Sequence, residues 1–252
     1  MRDLRREVHI LMIGNVASWG LVALLCLNGF AKADAGRSRF EVIDVERLNV
    51  VGTDGKPVLV LANRRLIPGP MVNGKEYPRA LADGRDFVSG MIFFNEQGDE
   101  VGGLIFNGIT KEKGYSAVGH LSFDQWKQNQ VVALQYVDNG TSRRAGLSVW
   151  DRPTDVPFVK ELERGVRMME GTPAEREALR REKEADQKRG DTGAQRVFVG
   201  SRDRTAQVQL SDTQGRARVR LVVDSNDIPK LEFLDGAGTI VAQYPPPRLS
   251  EK

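Results

Sequence analysis

Apolar residues alternate with polar ones through most of this chain, and short polar turns carrying a glycine interrupt the alternation. The stretch MIFFNEQGDEVGGLIFNG (Met91–Gly108) shows the unit: an apolar run, a polar turn around Gly98, then a second apolar run. Aligned on the turn glycine, NVVGTDGKPVLVL (Gly55), VQLSDTQGRARVRLVV (Gly215) and LEFLDGAGTIVAQY (Gly238) repeat it. Leu48 and Val50, Met91 and Phe93, Val208 and Leu210, and Leu231 and Phe233 stand seven and five residues before the glycine. Leu61, Leu104, Leu221 and Tyr244 stand six after it. LQYVDNGTSRRAGLSV (Gly140) follows the same plan offset by one residue, through Leu134, Tyr136 and Leu147. A period of two marks strands with one apolar face, and its recurrence marks an internal repeat.

The turns predict hairpins. A type I turn followed by one residue in the left-handed region closes a short loop with a bulge, and glycine adopts that conformation without steric cost. Asp212 and Asp235 at the first turn position can accept hydrogen bonds from the backbone two residues on. GHLSFDQWKQNQVVALQY (Gly119–Tyr136) reads as a further strand pair, with Asp124 to Gln130 turning between them. The predicted fold is mainly β: an antiparallel meander of β-hairpin repeats, forming a curled sheet, a barrel or a propeller-like array. Such a sheet must close, cover its edges or pair them with another copy.

Two segments break the pattern. Asn63 to Asp86 carries Pro68, Pro70 and Pro78 and reads as a long irregular loop. From Pro157 to Gly190 the period changes: Val159, Leu162, Val166 and Met169 have helical spacing, and Gly171 stops that helix. Thr172-Pro173-Ala174-Glu175 then reads as a capping box with proline at the first helical position. The helix it opens has few apolar residues, mainly Ala174, Leu179 and Ala185, as expected of a solvated connector. The organisation expected is an N-terminal segment over 1–36, a β region over 37–156, the helical connector over 157–190 and a second β region over 191–252. The two β regions are expected to form one domain.

Ile10 to Phe30 contains no charged residue. As a helix it would span about 31 Å, enough to cross a hydrocarbon core. Arg2, Arg5 and Arg6 precede it, so the N-terminus is expected in the cytoplasm and the rest outside. Lys32, Arg37 and Arg39 weaken that bias, and Ala31-Lys32-Ala33 leaves open a cleaved signal peptide.

Composition narrows the function classes. Four of the 37 basic residues and two of the 34 acidic ones precede Asp34, so the remainder is close to neutral despite a pI near 9.0. A general electrostatic grip on nucleic acid is not expected. The single cysteine, Cys26, lies in the apolar run and can form no disulfide within the chain.

Candidate chemistry is sparse. Asn95-Glu96-Gln97-Gly98-Asp99-Glu100 lacks the ligand spacing of a calcium loop and reads as a turn. His9 flanks the apolar run, and His120, read as opening a strand, has no second histidine to join it in a metal site. No nucleophile-elbow, P-loop or dinucleotide motif is present. Asp124, Asp138 and Asp151 are carboxylates that could serve glycan chemistry, with Trp126 or Trp150 for stacking. Trp150, Asp151 and Arg152, followed by Pro153, form the most suggestive ligand or partner rim; the alternative is a strand end packing over a sheet edge.

FEVIDVERLNVV, GMIFFNEQGDEVGGLIFNG, GHLSFDQWKQNQVVALQYVDNG, AGLSVWDRP and RVFVG followed by LEFLDGAG resemble a family of uncharacterised bacterial single-pass membrane proteins. The resemblance covers nearly the whole chain and implies a bacterial, membrane-anchored, β-rich protein. It carries no site residues. The function expected is non-enzymatic: protein interaction or self-assembly in the bacterial envelope, from the cytoplasmic membrane, without a cofactor or nucleic acid. The alternative is a domain that binds or processes cell-surface glycan.

Overall fold

The computed structural model describes residues 38–82 and 84–246. The expected membrane anchor over 10–30 lies outside them, as does the end of the second β region. Among the described residues no helix is long and apolar enough to cross a membrane.

Twelve strands form one antiparallel sheet in which each strand pairs with the next one along the sheet. They are β1 (Arg47–Val51), β2 (Pro57–Ala62), β5 (Ser89–Phe94), β6 (Glu100–Thr110), β7 (Tyr115–Asp124), β8 (Gln130–Asp138), β9 (Arg143–Asp151), β10 (Ala194–Arg202), β11 (Thr205–Ser211), β12 (Ala217–Val223), β13 (Pro229–Leu234) and β14 (Ile240–Tyr244). β3 (Met71–Val72) and β4 (Lys75–Glu76) make a separate small hairpin. The meander is as expected, but β1 and β14 stay unpaired at the two edges, so the sheet is open rather than a barrel or propeller.

The hairpin chemistry follows the predicted plan. Gly55, Gly98, Gly215 and Gly238 have φ between 78° and 85°. Each donates its N–H to the carbonyl three residues earlier. The register shifts by one residue beside each of these turns. Asp212 Oδ1 accepts from the Gln214 and Arg216 amides, and Asp235 Oδ1 from those of Ala237 and Thr239. The turn is thus set locally, which fixes the register of the flanking strands.

Asn63 to Asp86 is more ordered than expected. It holds the β3–β4 hairpin and a 3-10 turn at Arg79–Leu81. It folds back over one face of the sheet, burying Ile67 with Val60, Ala62, Val88, Ile92 and Phe94. The prolines explain its lack of longer strands, since each removes an N–H donor.

Helix α1 (Val159–Glu170) stops at Gly171. Its apolar stripe buries Leu162 against Val72 and Tyr77, with Leu81, Phe158 and Val166 packed around them. Helix α2 (Pro173–Arg189) opens with the full capping box: Thr172 Oγ1 accepts from the Glu175 N–H while Glu175 accepts from the Thr172 N–H. Only Leu179 is buried in α2, as its polar composition implies. The helices are an insertion between β9 and β10, which pair directly, so both β regions build one sheet.

Candidate functional site

The two faces of the sheet differ sharply. On one face a single row crosses all 12 strands: Leu48, Leu61, Met91, Leu104, Leu121, Leu134, Leu147, Val199, Val208, Leu221, Leu231 and Tyr244. One pleat further on, Val50, Leu59, Phe93, Gly102, Phe123, Val132, Val149, Val197, Leu210, Val219, Phe233 and Ala242 form a second row. Neither row contains a charged residue. Nothing in the described chain covers them: Leu134 is 57% exposed, Leu221 55% and Phe123 53%. The repeat positions read from the sequence are members of these rows, except Tyr136, which lies one pleat beyond Leu134 opposite Gly119 and Ala145.

The opposite face carries the loop and α1. Between them and the sheet lies a cavity of about 730 Å³. Small residues on neighbouring strands, Gly103 and Ser122, make room for it. Three register shifts place its polar groups. Near the start of β6 the pairing skips so that Glu100 lies opposite Phe94. At the β7–β8 turn Asp124 lies opposite Gln130, and at the β9–β10 join Trp150 lies opposite Gln195. Bulges re-aim side chains in this way at sheet ends.

Arg85, from the folded-back loop, reaches Glu100 with Nη2 2.6 Å from Oε1. Its side chain is only 8% exposed. Arg85 Nη1, Glu100 Oε2 and Asp124 Oδ1 are buried and have no partner among the described residues. Burial pushes the Glu100 carboxyl up, against the pull of Arg85. Burial, followed by the charge of Glu100, pushes Asp124 up to about 7, against Arg152 and Arg85. A carboxyl in that state can donate a hydrogen bond near neutral pH.

His120 sits in the middle of β7, not at its start. Gln135 Nε2 donates to His120 Nδ1 at 3.0 Å, which leaves the ring proton on Nε2. Burial, then Arg85, lowers the imidazole pKa, so the ring is neutral. The network continues from Arg144 to Gln135 and to Ser148 Oγ, and from Gln195 to Ser148 Oγ. Among the described residues no serine hydroxyl bonds to His120, so no Ser–His pair forms.

The rim residues divide. Trp150 lines the cavity from β9, well inside the sheet rather than at its edge. The Arg152 guanidinium lies 5.8 Å from the Trp150 ring and donates to the Gln130 and Thr192 carbonyls. Strand alternation turns Asp151 away, where it pairs with Arg196. Of the three carboxylates, only Asp124 enters the cavity. Asp138 accepts from Tyr115 and the Gly140 N–H at the far end of the strands. The Asn95–Glu100 turn ties down the β3–β4 hairpin: Asp99 accepts from the Asn73 N–H and from Lys127, each at 2.7 Å. Trp126 is exposed beside Lys127.

Arg85 and Glu100 carried no motif in the sequence. Their one local signal is a charged residue at the end of a segment otherwise destined for burial, and it is faint. In comparisons with protein-family models, curated proteins and solved structures, nothing matches this chain.

Proposed function

We propose that this is a non-enzymatic, membrane-anchored protein of the bacterial envelope whose sheet assembles face to face with a second copy. The observation that carries the reading is the pair of uninterrupted apolar rows on the uncovered face. An antiparallel sheet ordinarily buries its more apolar face and leaves the polar one in water. Here the loop and α1 cover the face with His120, Ser122 and Gln135, and the leucine row is bare.

The size fits a dimer. At about 4.8 Å per strand, 12 strands span roughly 53 Å, and two rows make a strip on the order of 700 Å². A stable interface buries about 800 Å² on each partner. A second copy supplies the same strip, so a two-fold axis makes the contact self-complementary. The product is a sandwich of two sheets about 10 Å apart. Anchorage through Ile10 to Phe30, with the sheet outside the cytoplasmic membrane, rests on the apolar run and the arginines before it.

Two differently tagged full-length copies, coexpressed and extracted in mild detergent, test the reading. The tags are expected to co-purify and to cross-link at the mass of a dimer. Copies that never co-purify would overturn it. Co-purification that persists when Leu134 and Leu221 are both changed to Lys would move the contact to the β1 or β14 edge, or to the anchor.

A further inference from the structure

We propose a second, independent site: the cavity between the sheet and α1 binds a neutral polyhydroxylated ligand, of the size of one or two sugar rings. The inference goes beyond assembly and uses the other face of the sheet.

The cavity has the dimensions of a small-molecule site. About 730 Å³ lies within the range of small-molecule sites, which are mainly apolar with a few convergent polar groups. Val88, Ile92, Ile105 and Leu162 supply apolar wall, and Trp150 supplies an aromatic ring. The polar groups gather at one end: Arg85, Glu100, Ser122, Asp124 and Gln130.

Among the described residues, three buried atoms at this polar end lack a protein partner, Arg85 Nη1, Glu100 Oε2 and Asp124 Oδ1, and Arg164 Nε on the α1 wall is a fourth. A buried polar atom without a partner is costly, so such atoms in a folded protein point to a missing companion. Here the set holds a strong donor, an acceptor and a carboxyl able to do either. A hydroxyl both donates and accepts, and neighbouring hydroxyls on one ring answer all three.

Charge selects against the alternatives. Arg85 already has its counter-ion in Glu100. Lys127 is matched by Asp99, and Arg164 by Asp186 and Glu182, while Glu161 and Lys183 add one charge of each sign to the lining. Asp124, with its pKa pushed up to about 7, is about half protonated at neutral pH and increasingly protonated below it, and the imidazole pKa of His120 is lowered. A carboxylate or ammonium ligand would therefore bring an unbalanced charge against a partly buried wall, whereas a neutral polyol would not.

Saturation-transfer NMR on the full-length protein tests this. The probes are glucose, galactose and N-acetylglucosamine as neutral sugars, glucuronate as an acid and glucosamine as an amine. At least one neutral sugar is expected to receive saturation. Its transfer should fall by more than tenfold in Trp150→Ala and in Asp124→Leu, each verified as folded by circular dichroism. Glucuronate and glucosamine should stay near background. No transfer to any neutral sugar, stronger transfer to a charged one, or transfer that both variants leave intact would each overturn the proposal. The readout does not depend on oligomeric state, so it stands or falls apart from the dimer.

Discussion

Phe93 and Phe123 stack with ring centroids 6.3 Å apart although a whole strand runs between them. The residue between them in the row is Gly102, which has no side chain to hold the rings apart. Gly102 also has φ 136°, and a Cβ there would lie 2.2 Å from the Ser122 carbonyl oxygen. Position 102 therefore demands glycine twice over. Gly102→Ala is predicted to cost about 2–4 kcal/mol, from backbone strain and displaced strands. Denaturant unfolding measures it, and a loss below about 0.5 kcal/mol would contradict the assignment.

Asp124 makes the fold less stable as pH rises. Its folded pKa, about 7, lies above the unfolded value, so the native state holds the proton more tightly. The resulting penalty is absent below about pH 4, grows by up to about 1.4 kcal/mol per unit as pH rises, and levels off above about pH 7. Glu100, Arg152 and Arg85 act on the same group and are common to wild type and variant. Asp124→Asn is thus predicted to unfold like wild type at pH 4 and to be more stable at pH 8 by about 1–4 kcal/mol. A variant less stable at pH 8 would show that Asp124 is stabilised as the anion.

Leu162 is the residue that seats α1. It is 2% exposed and packs on Val72 and Tyr77 of the folded-back loop. Leu162→Ala is predicted to cost about 2–5 kcal/mol. Because α1 roofs the cavity, hydrogen exchange should speed up in α1 and in the β3–β4 hairpin before it does in β7 and β8. Uniform acceleration across the sheet would mean that α1 belongs to the same cooperative unit as the strands.

The strands were legible because their cues are local. Leu48 and Val50 around Gly55, or Val208 and Leu210 around Gly215, state both the period and the turn within a few residues. The Asp224–Ile228 turn is harder to read, since Asp227 takes the left-handed position at φ 63° where the Gly55, Gly98, Gly215 and Gly238 turns use glycine. Whether the sheet closes depends on how twist accumulates over 12 strands, which no hairpin records. The cavity was hidden for a different reason. Arg85, Glu100 and Asp124 are far apart in sequence and meet only after the loop folds back and bulges turn two strand ends inward. Trp150 and Arg152 stood out by residue type, but Asp151 stood out with them and faces away.

Coverage of the bare leucine row by a second copy sets the mass of the assembly. The most direct measurement is the protein mass of the full-length chain in detergent, by sedimentation with the detergent contribution subtracted, for wild type and for the Leu134→Lys, Leu221→Lys double variant. Both residues are more than half exposed in the single chain, so the substitutions should leave its fold intact by circular dichroism. Wild type is expected to be a dimer and the variant a folded monomer. A monomeric wild type, or a variant that remains dimeric, would contradict it.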